Sequence, residues 1–530
     1  MKIRKWSILL LLAVICLSAA APVGQAAEAA GIRIILNGKV IESEVAPYIL
    51  PKVNITMVPL RVISEELKAS VTWSSAERRV TIKSSGNKTI TMDSGSTAAI
   101  VNGESVKLDA SVQVKAGRAM VPLRFVSEQL GLTVNWSQSN KTITLLSGGI
   151  TPPAPDPDPN GDPEETEELR GAWVSTVYNL DWPSSASYLN EVKQMGEFVS
   201  LLDDLQSMGM NAVFVQVRPA GDAFYPSDLV PWSKYLSGVQ GLAPSYDPLA
   251  FMIEEAHKRN MEFHAWFNPF RASVDNKTDQ LAANHVTKQH PDWIVNAGGK
   301  LYINPGIPEA RQHIIDTIME VVNGYAVDGV HLDDYFYPSN IVFADDSAFQ
   351  AYNPAKIAAK ADWRRSNINE FVRQLGESIH KANPKVKYGI SPFGVWRNKA
   401  VDKTGSDTKA SITAYDDMYA DVRTWIQRGW VDYITPQIYW SLSFTAARYD
   451  KLVDWWAQEV KGTDVDLYIG HSPYKLGTKE AGWQSAQEMI NQLKYNKKYA
   501  EIKGDVFFSA KDLRKNTLGI MDELRTYYSE

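Results

Sequence analysis

The stretch Asp328-Gly-Val-His-Leu-Asp-Asp-Tyr-Phe-Tyr-Pro338 decides the fold. It opens as a short strand and closes on two acids, three aromatic rings and a proline that cannot continue a sheet. Ahead of it, Ile314, Ile315, Ile318, Val321 and Val322 recur at helical spacing. The same rhythm runs in both directions, with strand-like runs at 170–177, 211–219, 261–270, 328–337, 386–396, 431–440, 466–474 and 505–510. Phe198, Leu201, Leu202, Leu205 and Met208 likewise share one helix face, which Gly209 closes. Strand, crossover helix and parallel strand repeated eight times predict an α/β fold, a closed (β/α)8 TIM barrel over 169–530. An open doubly wound sheet is the alternative, weakened because no glycine-rich phosphate loop follows the first strand.

Upstream of the barrel the composition changes. Residues 149–168 are rich in Pro, Asp and Glu, and proline stiffness with like-charge repulsion makes them an extended linker. Within 30–148 the chain repeats itself. Met57-Val-Pro-Leu-Arg61, followed by Ser64, Glu65, Leu67, Val71 and Trp73, returns as Met120-Val-Pro-Leu-Arg124 with Ser127, Glu128, Leu130, Val134 and Trp136. Each copy reads as a Pro-bearing turn, a short helix, then alternating strands such as Val80-Thr-Ile82 and Ile143-Thr-Leu145, giving a small α+β repeat domain. Asn37-Gly38 and Asn102-Gly103 are hairpin signals. The repeats resemble the copper amine oxidase N-terminal-like domain attached to many exported bacterial enzymes. Copper does not follow, because the stretch has no histidine or cysteine to bind it. A stalk or cell-wall adaptor and a spacer without a ligand are equally open readings.

The basic start Met1-Lys-Ile-Arg-Lys5 and the short apolar run 6–21 read as a secretory signal peptide over 1–29, with cleavage between Ala26 and Ala29. A secreted or cell-surface protein without stable membrane insertion is expected. Cys16, preceded by Ile15, fits a lipoprotein signal poorly, so no lipid anchor is expected and the mature chain has no cysteine. Its domains must then be held by their cores rather than by disulfides. A net charge of −6 gives no basic face for phosphates, which argues against a nucleic-acid partner.

In such a barrel reactive groups gather at the C-terminal ends of the strands. Those ends carry Arg218 and Asp222; His264, Trp266, Asn268 and Arg271; Asp333, Asp334 and Tyr335; Trp396; and Gln437, Tyr439 and Trp440. Period-two alternation puts His264, Trp266 and Asn268 on one face of the third strand and Phe263, Ala265 and Phe267 on the other. Rings among carboxylates, amides and arginines suit sugars, whose C–H faces stack while their hydroxyls need partners. A polysaccharide substrate is expected, with no cofactor.

Several motifs carry a family resemblance: Arg170-Gly-Ala-Trp-Val, the run 217–225, Pro231-Trp-Ser, the run 328–338, Gly389-Ile-Ser-Pro-Phe-Gly-Val-Trp-Arg397, and Ile434-Thr-Pro-Gln-Ile-Tyr-Trp440. Together they resemble the glycosyl-hydrolase-like 10 family from Glu168 to near the end. The resemblance implies a (β/α)8 barrel and a bacterial glycosidase, and for some relatives hydrolysis of peptide-free peptidoglycan strands.

Glycoside hydrolysis asks for two carboxyl groups flanking the scissile bond. Asp333 and Asp334 are the candidates, although strand neighbours point to opposite faces unless the strand end twists. No glutamate stands at a predicted strand end, so a loop acid is sought. Asp222 is favoured because Arg218 could hold it ionised. Asp181, Asp416 and Asp417 read better as capping or solvated carboxylates. In a substrate-assisted route an N-acetyl group supplies the nucleophile. The fourth strand is similar to that of family-18 chitinases, but their catalytic glutamate aligns with Tyr335. His264, His331 and His471 sit on separate strands and read as structural or sugar-binding rather than zinc ligands. Arg218 and Arg271 have two readings, gripping a substrate carboxylate or forming a salt bridge in the mouth. A non-catalytic glycan-binding surface protein is the competing class.

Overall fold

The computed structural model describes residues 168–529 apart from 334 and 335, together with most of the strands between 32 and 147. The expected leader, the linker, Asp334 and Tyr335 lie outside the described residues.

The C-terminal part is a closed barrel of eight parallel strands in chain order. They are β1 (Leu169–Val174), β2 (Ala212–Arg218), β3 (Glu262–Phe267), β4 (Gly329–Asp333), β5 (Lys387–Ser391), β6 (Tyr433–Ile434), β7 (Asp466–His471) and β8 (Ile502–Phe507). Closure is the pairing of β1 with β8, Leu169 opposite Gly504 and Ala172 opposite Phe507. A helix follows every strand, beginning with Glu191–Ser207 and ending with Ile520–Ser529.

The helices form where the sequence places caps and stripes. Asn190 accepts from Lys193 N ahead of Glu191–Ser207, which buries Phe198, Leu201, Leu202 and Leu205. Gly209, at φ 87°, then turns the chain into β2. Pro308 opens Pro308–Gly324, and Ile314, Ile315, Ile318, Val321 and Val322 go into the core. Truncating one such residue, Leu202→Ala, costs about 2–5 kcal/mol through lost transfer energy and the cavity left behind.

Alternation sorts each barrel strand into an outer and an inner set. Along β2, Val213, Val215 and Val217 join the core shared with the helices. Ala212 and Phe214 point inward with Leu169, Trp173, Trp266, Tyr433, Tyr468 and Val506. The interior is therefore a packed core rather than a pore.

The sixth strand is much shorter than the 431–440 run expected. Pro436 removes a ladder donor just past Ile434, and the chain continues only as isolated bridges from Gln437 to Phe393 and to Gly470. An excursion after β3 adds a three-stranded antiparallel sheet of Arg271–Ser273, Lys300–Ile303 and Ile294–Ala297, which the sequence reading had not anticipated.

In the N-terminal part the hairpins Ser70–Ser74 with Arg79–Lys83 and Leu132–Ser137 with Thr142–Ser147 fall at corresponding points of the two repeats. Asn102 and Gly103, at φ 50° and 95°, make the two-residue turn between Ala98–Val101 and Glu104–Lys107. The Met-Val-Pro-Leu-Arg segments correct the sequence reading. They are strands, Ile55–Pro59 and Arg118–Pro122, paired antiparallel with Val58 opposite Val121. Each proline closes its strand, and Met57, Val58, Met120 and Val121 are fully buried, so apolar burial outweighs the turn tendency of proline. Among the described residues no helix is long and apolar enough to cross a membrane.

Candidate active site

A chain of hydrogen bonds crosses the barrel interior, and its direction follows from one indole. Trp173 Nε1 can only donate, so His331 Nε2, 3.1 Å away, accepts. His331 Nδ1 therefore carries the ring proton and donates to the Tyr433 hydroxyl at 3.1 Å. Tyr433 passes its own proton to His264 Nδ1 at 3.0 Å, and His264 Nε2 donates to Glu262 at 2.9 Å. Burial, with His264 nearby, pushes His331 well below the ordinary histidine range, so it is neutral. His264 and His331 thus serve the barrel core. His471 faces outward to Asp505 and Gln492. Among the described residues no group of three His, Cys, Asp or Glu is placed to hold a metal.

Above this layer, at the strand ends, lies a second directed chain. The backbone N–H groups of Thr176 and Val177 donate to Gln216 Oε1 at 3.0 and 2.9 Å, which fixes the amide orientation. Gln216 Nε2 then donates to Asn268 Oδ1. Asn268 Nδ2 donates in turn to Asp333 Oδ2 at 2.8 Å. From the other side Gln437 Nε2 donates to the Ser391 carbonyl at 3.1 Å and reaches Asp333 Oδ1 at 3.4 Å. Both oxygens of Asp333 face N–H donors, the arrangement of a carboxylate rather than of a proton donor. Asp333 is 8% exposed, nearly buried at the end of β4.

The other sequence-selected residues divide by position. Asn268, Trp266 and Gln437 join Asp333 or line the layer beneath it. Tyr439 stacks on Phe508 at 6.2 Å, and Trp440 meets Phe393 edge-on at 5.6 Å; both are half-buried. Trp396 packs instead on Trp455, with ring centroids 5.6 Å apart, among the outer helices and loops. Arg271, on the added sheet, donates to the Pro219 carbonyl at 3.3 Å. Arg218 is wholly buried and donates to the carbonyls of Asn268 and Pro269, both at 2.9 Å, so it braces the turn after β3 from below.

Asp222 departs from the expectation that Arg218 holds it ionised. Its hydrogen-bond partners are Ala220 N, at 3.0 Å, with the Ser233 and Gln240 side chains, all on its own loop. Burial outweighs those bonds and the Arg218 charge and pushes its carboxyl up to about 6. Asp181 accepts from Ser175 N, Ser509 Oγ and Lys511 N, tying the loop after β1 to the start of helix Ala510–Arg514. Asp416 pairs with Arg397 through two bonds of 2.9 Å, and Asp417 accepts from Thr413 N.

Gln216, Trp173 and Ser391 complete the site, though none was selected from sequence. The signal for Gln216 was legible, since it follows Ala212 and Phe214 at period two and therefore faces inward beside Asn268. That Trp173 would meet His331 across the barrel depends on closure and had no local signal.

Residues 168–485 match the glycosyl hydrolase-like 10 family, and residues 35–145 match the copper amine oxidase N-terminal domain. The glycosyl hydrolase YngK of Bacillus subtilis is 52% identical over 68% of this chain and 72% of its own length. The glycosyl hydrolase DigH of Escherichia coli K12 is 42% identical over 69% of this chain and 88% of its own. Among solved structures, the PgaB (BpsB) glycoside hydrolase domain of Bordetella bronchiseptica aligns over 68% of this chain and 99% of its own, with 11% identity and a TM-score of 0.48. A barrel with an amide-held carboxylate at its mouth defines the class, and the chain belongs to the glycosyl hydrolase-like 10 family. It is a glycosidase, which decides against the non-catalytic glycan-binding protein.

Proposed function

We propose that the protein is an exported glycosidase that cleaves O-glycosidic bonds of bacterial cell-wall polysaccharide, with peptide-free peptidoglycan strands as substrate. Export rests on the leader-like 1–29 segment, and wall association on the N-terminal repeats. The observation that carries the reading is Asp333, held at both oxygens by Asn268 and Gln437 at the end of β4.

In this reading Asp333 acts as the carboxylate partner, as nucleophile, base or charge stabiliser. Asp334, next in the chain, supplies the proton to the leaving oxygen, and Asp222 is the competing donor because burial pushes it up to about 6. Tyr439 and Trp440 offer ring faces to the sugar at the rim. The test is to incubate the purified protein with peptide-free strands, intact sacculi and chitin and to follow new reducing ends by mass. Release from peptide-free strands alone is expected. Release from chitin at the same rate, or from none of the three, contradicts the substrate assignment.

A further inference from the structure

Beside the mouth, between the loops that follow β2 and β3, lies a cleft of about 330 Å3. That volume is at the low end of the ~300–1,000 Å3 of small-molecule sites and suits one sugar ring with its substituents. Its wall includes the Tyr235 ring and the apolar side chain of Val239, which is 60% exposed. Lys234 and Lys277 also line it, and among the described residues neither ammonium has a carboxylate within salt-bridge distance. Two acids share the lining: Asp275 is turned back onto its own loop, where its Oδ1 accepts from Lys277 N at 3.0 Å, and Asp222 is buried and bonded to Ala220 N and to the Ser233 and Gln240 side chains.

A second feature sits against this cleft. Tyr178, after β1, is 63% exposed and meets the Tyr235 ring edge-on at 6.1 Å. It is held there: Tyr178 and Asn179 both have left-handed backbones, at φ 58° and 52°, a conformation that costs non-glycine residues energy. Asn179 secures the turn by donating to the carbonyls of Pro183 and Tyr235, at 2.7 and 2.8 Å, and accepting from Tyr188 at 2.6 Å. A large ring is thereby presented to solvent at the edge of a cleft with two lysines that have no carboxylate partner among the described residues; one of them, Lys234, lies with its ammonium 5.5 Å from the Tyr235 ring centroid.

We propose that this cleft is a subsite for a carboxylate-bearing sugar of the glycan, stacked on Tyr178 and read by Lys234 and Lys277. The inference rests on the substrate reading above and deepens it. A sugar whose acidic substituent is free presents a compact anion to the two ammonium groups. Conversion of that carboxylate to a peptide-bearing amide removes the charge and adds bulk that a cleft of this size does not hold, so the subsite selects strands already stripped of peptides.

The test compares peptide-free peptidoglycan strands with the same strands after chemical reduction of their carboxyl groups to alcohols. Wild type is expected to show a KM about tenfold lower on the carboxylated form, the worth of one or two charge-assisted contacts. Lys234→Gln combined with Lys277→Gln is expected to abolish that difference by raising KM on the carboxylated form alone, with kcat unchanged. Tyr178→Gly, which keeps the left-handed turn, is expected to raise KM on both forms equally. Wild type that cleaves both forms with one KM, or lysine variants that lose equally on both, overturns the subsite while leaving the glycosidase intact. Wild type that cleaves neither form overturns the substrate reading and this inference with it.

Discussion

Asn268 donates its amide to Asp333 across 2.8 Å, and the direction of that bond is set one step back in the chain of contacts, where the Thr176 and Val177 backbone N–H groups orient Gln216, which donates to Asn268. Exchanging one atom in this chain changes its electrostatics. Asn268→Asp sets a second carboxylate against the first, and two like charges at that distance do not both ionise. The acid limb of the kcat/KM profile should move up by about one to two pH units. Asn268→Ala, which only removes a donor, should lower kcat by about 10- to 100-fold without that shift. A pH–rate series on the three proteins checks both.

Asp222 has two readings that one pair of substrates separates. A proton donor is dispensable when the leaving group needs no protonation, so its loss is rescued on an activated aryl glycoside. A residue that pins a loop is not rescued. The bonds from Asp222 to Ala220, Ser233 and Gln240 predict the second outcome for Asp222→Asn, with turnover lowered by a similar factor on the strand and on the aryl glycoside. For Asp334→Asn the expected result is loss on the strand and near-normal release of the aryl group.

Inside the barrel, Gly389 and Gly329 make room for rings that cross the axis. A Cβ at Gly389 would fall within the Tyr433 ring, and one at Gly329 within the imidazole of His264. Neither ring can yield, because Tyr433 bonds both His264 and His331. Gly389→Ala should therefore destabilise the protein by about 1–3 kcal/mol or more, as overpacking does, while Gly196→Ala, inside helix Glu191–Ser207 with nothing within 4 Å of its Cβ, should lose nothing. Chemical denaturation of the two variants measures the difference.

Much of this architecture was readable beforehand, and for a physical reason. The strand and helix periods are local, so Val213, Val215 and Val217 and the stripe from Phe198 to Leu205 declare their faces in the sequence. Phe263 and His264 could be assigned to opposite sides of one strand in the same way. What could not be read was set by distant contacts. Met57 to Pro59 looked like a turn because of its proline, and became a strand because the second repeat offers Met120 to Pro122 as a partner. Trp396 looked like a mouth residue by position, yet the helix carrying Trp455 draws it outward. Burial at Asp222 outweighs the nearby Arg218, a balance that depends on the folded surroundings rather than on spacing.

Asp247 gives a pH dependence of stability with a definite sign. It caps helix Pro248–His257 through Ala250 N at 3.1 Å and accepts from the Tyr325 hydroxyl at 2.7 Å, and burial pushes its carboxyl from 3.8 up to about 6. Below about pH 4 both folded and unfolded chains hold the proton and nothing is lost. As pH rises toward 6 the unfolded chain ionises first, so this group's contribution falls, and above 6 it stays low. Asp247→Asn keeps the cap without the charge. Its stability relative to wild type should therefore rise by up to about 3 kcal/mol between pH 4 and pH 8. Thermal melts of both proteins at the two pH values check this, and a constant difference would count against a raised Asp247.

The most direct test of the central claim is Asp333→Asn, measured for binding and for turnover on peptide-free strands. The amide keeps the size of the carboxyl group, and its oxygen can still accept from Asn268, so only the longer contact from Gln437 is lost. The account predicts strand affinity within about threefold of wild type and a kcat lower by about 10³-fold or more, because charge stabilisation at the reacting centre is lost. Turnover near the wild-type rate, or affinity and turnover falling together, would contradict a carboxylate at Asp333 that acts on the scissile bond.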